Sequence, residues 1–125
     1  MKENLIQTLF NRKNETIGVF ELKLCKEKRF NFKKLARHQE LSLLAVEGDG
    51  LTYKISDMSA DRKPFDCFRL ANIPAYVVIV WYEPRKPKAA HYIRIKDFIS
   101  LRERSAKKSC TEGEAILASK KTIIL

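Results

Sequence analysis

Ala75-Tyr76-Val77-Val78-Ile79-Val80-Trp81-Tyr82 is the stretch whose reading decides the fold class. It is rich in β-branched and aromatic residues, and its apolarity is nearly continuous. A strand covered on one face alternates apolar and polar residues, so an unbroken run predicts a central strand buried on both faces. Strands of that kind belong to sheets flanked by helices. The run is far too short to cross a bilayer, which takes about 20 apolar residues in a helix.

Working outward, Ile17 to Cys25 reads as a strand and Lys26 to Asn31 as a basic connection. Phe32 to Val46 carries the clearest helical pattern, with Phe32, Leu35, Ala36, Leu43 and Val46 at helical spacing. Asn31 is its candidate N-cap, and Gly48-Asp49-Gly50 ends it. This strand, its helix and a later strand suit a right-handed crossover. Lys2 to Leu9 reads as a short helix with Leu5, Ile6 and Leu9 on one side, followed by a polar loop from Asn11 to Thr16. Leu51 to Ser56 and Phe65 to Leu70 read as strands of a hairpin around a polar turn from Met58 to Pro64. Pro84 to Lys88 is a basic loop and His91 to Ile95 a strand, and Asp97 is the candidate cap of a helix from Phe98 to about Arg104. Arg102 to Lys121 reads either as a mobile tail or as a helix from Thr111 to Lys120. Thr122 to Leu125 is apolar and suits either an edge strand or a segment that docks on a partner chain. The fold class expected is therefore α/β, a single domain with a mixed β-sheet flanked by helices, in which residues 102–125 form a basic C-terminal extension.

Composition narrows the function. A chain of 125 residues suits one domain with a core of its own, and a 45% hydrophobic share argues against wholesale disorder. Lys and Arg number 25 against 15 Asp and Glu, a formal net charge of +10. Such a field draws polyanions, of which nucleic acid is the commonest; the alternatives are a basic protein that is merely soluble and one that docks on acidic lipid. Cys25, Cys67 and Cys110 are odd in number and lie far apart, so they suggest neither a disulfide framework nor a zinc site and fit a reducing cytoplasm. Met1 to Phe10 contains Glu3 and Gln7 and reads as no signal peptide. A P-loop pattern is absent, and His38 and His91 fall on separate elements, away from any cysteine nucleophile pattern.

Val19-Phe20-Glu21-Leu22-Lys23-Leu24 carries the chemistry. Residues two apart on a strand share a face, so Glu21 and Lys23 project together while Phe20, Leu22 and Leu24 face the core. A carboxylate beside an amine on a rigid strand suits metal-assisted phosphodiester cleavage. The carboxylate holds Mg²⁺, or Mn²⁺ in its place, and the lysine offsets developing charge. Taken alone, the same pair also reads as an ion pair on a half-exposed strand. Leu35, Gln39 and Leu43 are four apart, which sets Gln39 within the apolar stripe. Its amide either reaches Glu21 and Lys23 or bonds to nearby backbone.

Phe20-Glu21-Leu22-Lys23, a basic connection, and a helix carrying His38-Gln39 together resemble the RecU-type Holliday junction resolvases, and more broadly the PD-(D/E)XK nuclease superfamily. The resemblance runs in short motifs from Ile17 to Phe98, with Ala75 to Val80 as the later apolar strand. It implies a restriction-endonuclease-like fold, an Mg²⁺-dependent endodeoxyribonuclease acting on branched or structured DNA, and a homodimer matching the two-fold symmetry of a four-way junction. In the family an aspartate, usually after a proline, stands on the strand before Glu-x-Lys, and no aspartate precedes Glu21 here. Lys63-Pro64-Phe65-Asp66 looks like a displaced form of that element. If its hairpin lies beside the Glu21 strand, Asp66 joins Glu21 as a metal ligand. Asp57 is a second candidate acid, and Glu3 is a weaker match to a glutamate on the first helix of some resolvases.

The expected catalytic set is thus Glu21, Lys23, Asp66 and Gln39, with the metal on Glu21 and Asp66. The expected DNA-binding set is Lys26, Lys28, Arg29, Lys33, Lys34, Arg37, Arg62 and Lys63, which would contact phosphates and fix register. Arg69, the run Arg85, Lys86 and Lys88, and the pair Lys107 and Lys108 add to the field. Tyr82 and Tyr92 are candidates to stack on unpaired bases, and Trp81 reads as core. A non-catalytic nucleic-acid-binding module on a similar fold is the alternative function. A third is an interaction subunit docking through Ile123-Ile124-Leu125.

Overall fold

The structure is a computed structural model that describes residues 3–55 and 65–125. In chain order its elements are α1 (Glu3–Lys13), β1 (Val19–Cys25), β2 (Arg29–Asn31), a 3-10 turn (Phe32–Lys34), α2 (Arg37–Glu47), β3 (Leu51–Lys54) and β4 (Cys67–Leu70). There follow β5 (Ala75–Trp81), β6 (Ala89–Arg94), α3 (Ile95–Arg104), β7 (Ser109–Thr111), α4 (Glu112–Ala118) and β8 (Lys121–Ile124). The main sheet has the order β1-β5-β6-β8, with β1 and β5 parallel and the other pairs antiparallel. It is the expected mixed sheet flanked by helices.

Every residue of β5 is buried, as its unbroken apolarity requires. Tyr76, Val78 and Val80 face α1, packing with Ile6, Phe10, Leu22 and Tyr92. Val77, Ile79 and Trp81 face the opposite layer, packing with Leu43 and Val46 of α2, Phe98 and Leu101 of α3, and Ala115 of α4. Each fully buried aliphatic or aromatic side chain of this kind contributes roughly 1.5–3 kcal/mol. The sequence Phe20-x-Leu22-x-Leu24 serves the α1 layer, which leaves Glu21 and Lys23 on the α2 side.

Several boundaries differ from the sequence reading, each for a physical reason. α1 runs on to Lys13 because Phe10, four residues after Ile6, extends the buried stripe. Phe10 meets Phe20 edge-on at 5.5 Å and Tyr92 at 5.6 Å, whereas Leu5 is exposed. The helix expected from Phe32 is broken: Leu35 and Ala36 are extended, and α2 begins at Arg37. A continuous helix would stack Lys33 against Arg37 at the repulsive four-residue spacing. Asn31 does act as a cap, accepting from the Lys33 N–H at 2.9 Å, but it caps the 3-10 turn. Asp97 lies inside the first turn of α3 and is not its cap; the N-cap position belongs to Arg94. The basic connection after β1 contains β2, which pairs with β7.

Of the two readings of the segment before Lys121, the helix is the one observed. Thr111 caps α4 reciprocally with Glu114: the Glu114 N–H donates to Thr111 Oγ1 at 3.2 Å, and the Thr111 N–H donates to Glu114 Oε1 at 3.0 Å. Of the two readings of the chain end, the edge strand is observed, as β8. Buried His91 joins these pieces to β6, with Nδ1 2.8 Å from Thr122 Oγ1 and Nε2 2.8 Å from Glu112 Oε2.

The hairpin β3–β4 forms a separate two-stranded sheet. Its base turns through Gly50, whose φ of 120° is a backbone conformation that side-chain-bearing residues rarely adopt. Arg69 closes that turn by donating to the Asp49 carbonyl at 2.6 Å. Among the described residues no helix is long and apolar enough to cross a membrane.

The cysteines are free, with Cys25 and Cys110 buried and Cys67 exposed. Burial pushes the Cys110 thiol up to about 11 and also raises Cys25, so neither supplies thiolate near neutral pH. Iodoacetamide is therefore expected to label Cys67 alone in the native protein and all three cysteines after unfolding, read by mass spectrometry. Native labelling of Cys110 would contradict this packing.

Candidate active site

Glu21 and Lys23 lie opposite Val77 and Ile79 in the β1–β5 register, on the sheet face that α2 covers. Gln39, in the first turn of α2, reaches across to both. Its Nε2 donates to Glu21 Oε1 at 2.9 Å, and its Oε1 accepts from Lys23 Nζ at 3.1 Å. The same Oε1 accepts from the Ala36 backbone N–H at 3.0 Å. Two donors thus converge on the amide oxygen and one acceptor faces the amide nitrogen, which leaves a single satisfactory orientation for the side chain. Lys23 Nζ stands 3.5 Å from Glu21 Oε1, so the three groups close a ring.

The sequence leaves two sets of partners open to Gln39, and both are present. Gln39 bonds to the Glu21–Lys23 pair and to backbone at once, and it also helps start α2 by satisfying the N–H of Ala36. The side chains of Glu21 and Lys23 keep 32% and 18% of their exposure, so solvent or a ligand reaches them. All bonds to Glu21 from the described residues fall on Oε1, leaving Oε2 without one.

Asp66 is not joined to this group by the strand pairing. It extends the β3–β4 hairpin, its carbonyl accepting from the Ile55 N–H at 2.8 Å, and among the described residues β3 and β4 form a sheet separate from that of β1. Among the described residues there is no group of three or more His, Cys, Asp or Glu that could hold a metal ion. Asp57, Arg62 and Lys63 lie outside the described residues.

The expected phosphate contacts differ in exposure and in how firmly they are held, and Arg37, though exposed, is paired with Glu40 at 3.3 Å. Lys26, Lys28, Lys33, Lys34 and Arg37 are exposed around the end of β1 and the start of α2. Lys34 Nζ sits 5.9 Å from the centre of the Phe30 ring. Arg29 is half-buried and tied to Ser109 Oγ at 2.8 Å, to the Ser109 carbonyl at 2.9 Å and to Glu114 at 3.6 Å. Arg69 is held at the hairpin turn and Lys86 by Glu83 at 2.7 Å. Tyr92 is buried and donates to Asn14 at 2.7 Å, so it is no base-stacking platform. Trp81 is core, as expected, and Tyr82 is half-exposed beneath Lys88.

Two residues beside this site had no assigned role in the sequence. Glu40 is a buried carboxylate on α2, held by two Arg102 nitrogens, the longer bond at 3.4 Å, and by Arg37 at 3.3 Å. Its spacing from Ala36 and Leu43 marks a charge in the helix stripe, a signal that a basic partner must exist. The partner itself, far away in the chain, has no local mark.

No protein-family model, curated protein or solved structure matches the chain.

Proposed function

We propose that the chain is a metal-dependent endodeoxyribonuclease acting on branched or structured DNA. The Glu21–Lys23–Gln39 ring carries the reading: a carboxylate and an amine held together on one strand by an amide from the following helix. Mg²⁺ is commonly held by one or two carboxylates together with substrate phosphate oxygens. Glu21, whose Oε2 takes no hydrogen bond from the described residues, would supply the first carboxylate, and Asp66 is proposed as the second. The ion would polarise the phosphate and lower the pKa of the attacking water.

The chain's own residues do the rest. Gln39 keeps Glu21 from turning away and holds the Lys23 ammonium at the same spot. Lys23 offsets the negative charge that builds on the phosphate oxygens as the bond to water forms. Exposed Lys26, Lys28, Lys33 and Lys34 attract the backbone and set its register. A homodimer belongs to the same proposal, because two sites related by a two-fold axis suit a four-way junction.

The test is cleavage of labelled four-way-junction, linear and single-stranded DNA with and without Mg²⁺. Cutting that requires the ion and ranks the junction first supports the proposal. One observation favours a second reading, a non-catalytic nucleic-acid-binding module: the described residues gather no three-ligand metal group. Tight, salt-sensitive binding with no cutting in Mg²⁺ or Mn²⁺ would select that module instead.

A further inference from the structure

Beside the start of α2 lie two cavities, of about 300 and about 360 Å³, that share Phe32, Lys33 and Arg102 and so form one groove. Its lining holds the cations Lys33, Arg37, Arg102, Lys107 and Lys108, with Glu40 as the single carboxylate among them. One wall is the 3-10 turn and the first turn of α2. The other is the loop between α3 and β7.

The walls are fixed to each other. The β2–β7 ladder continues past Asn31 and Ser109 into a bond from the Phe32 N–H to the Lys108 carbonyl at 3.1 Å. Within the loop, Ser105 Oγ donates to the Ser109 carbonyl at 3.3 Å and accepts from the Lys107 N–H at 3.4 Å. Arg102 is positioned from behind: Glu40, itself buried, takes two of its nitrogens, while the arginine side chain stays 34% exposed. Burying a carboxylate is costly, and a pair of this type is a poor source of stability. It does hold a guanidinium at a set place in the groove wall.

We propose that this groove is a phosphate track for a nucleic-acid strand, with Arg102, Lys107 and Lys108 as direct phosphate contacts and Glu40 as the residue that positions Arg102. The track abuts the candidate active site: Ala36 lines the groove, and its N–H is held by the same Gln39 oxygen that binds Lys23. A strand seated there is led toward Glu21. An acidic lipid surface fits less well, because the apolar lining residues Phe32 and Leu35 are buried and offer nothing to insert. That the strand is DNA rests on the nuclease reading; the binding itself does not.

The experiment is fluorescence anisotropy of labelled four-way-junction and single-stranded DNA in EDTA, titrated over about 50–200 mM salt. The double variant Lys107→Ala/Lys108→Ala is expected to bind at least tenfold more weakly at the low-salt end. Its plot of log affinity against log salt should flatten by about 0.7–0.9 for each phosphate that the variant no longer neutralises. Glu40→Ala, which leaves every groove cation in place but removes the acceptor that holds Arg102, should flatten the slope by the amount that one phosphate accounts for while the circular dichroism stays native, an effect that a merely structural role for Glu40 would not produce. Lys120→Ala/Lys121→Ala, outside the groove, should keep the wild-type slope.

A wild-type slope for Lys107→Ala/Lys108→Ala, or an equal loss in Lys120→Ala/Lys121→Ala, would overturn the track. So would groove-dependent binding to phosphatidylserine vesicles without binding to DNA. Failure of the nuclease reading looks different: no Mg²⁺-dependent cutting, with the groove variants still flattening the slope.

Discussion

Glu21→Gln loses metal-dependent cleavage by a factor of at least about 10³ and keeps its affinity for DNA in EDTA: this is the expected result with the largest effect. The substitution is isosteric, and the new amide oxygen still accepts from Gln39 Nε2, so β1 and α2 stay joined. What disappears is the negative charge on the open oxygen that would hold the cation. Lys23→Ala should lose about 10²–10³, the scale of one group stabilising charge in a transition state. Asp66→Asn separates the two parts of the proposal. Full activity there would remove Asp66 from the metal site and leave Glu21 and Lys23 in place. Parallel circular dichroism and salt-dependent binding keep misfolding from passing as lost chemistry. Cleavage by Glu21→Gln at the wild-type rate would end the nuclease reading.

The part of this site legible in the sequence is the part set by periodicity. Strand alternation places Glu21 and Lys23 on one face, and helical spacing places Gln39 on the stripe turned toward them, and those three residues meet. β5 was equally open to reading, because an unbroken apolar run has few other structures to go into. Contacts that depend on the path of the chain were not. Arg29 reads as a free cation in a basic connection, yet β7, some 80 positions later, supplies the serine that binds it. Tyr92 alternates like a half-exposed strand residue, but β6 is interior to the sheet and α1 covers that face. The α4 cap is legible in principle: Thr111-Glu112-Gly113-Glu114, at the start of the segment read either as a helix from Thr111 or as a tail, has the Thr-x-x-Glu spacing of a reciprocal cap, which decides for the helix. At the break after Leu35, the Ala36 N–H donates to the side chain of Gln39 three residues on, a local start signal for α2 that sits inside the apolar spacing of a longer helix.

Glu47 offers the largest expected effect on stability. At the end of α2, its Oε2 accepts from the Ala75 N–H at 2.9 Å and from Arg94 Nε at 2.6 Å. It thereby ties the helix to the first residue of β5 and the last of β6. The carboxylate is almost wholly buried, and Arg94 is about one-third exposed. Glu47→Ala leaves the Ala75 N–H and the guanidinium without this acceptor, at a cost of about 3 kcal/mol after allowing for water at Arg94. That corresponds to a fall of about 10 °C in melting temperature for a domain of this size. Glu47→Gln keeps an acceptor for Ala75 and should lose less. Burial alone would raise the Glu47 carboxyl, but the bonds from Arg94 and Ala75 outweigh it and hold it below its ordinary value of 4.5. A depressed carboxyl stabilises the fold fully above that ordinary value, and the contribution is lost as pH falls below it through the native value. The gap between wild type and Glu47→Ala should therefore be constant from pH 7 to about 5 and narrow below 4.5. Urea titrations across that range read the gap directly, and a gap that is absent at pH 7 or widens in acid would refute this account of the α2–sheet junction.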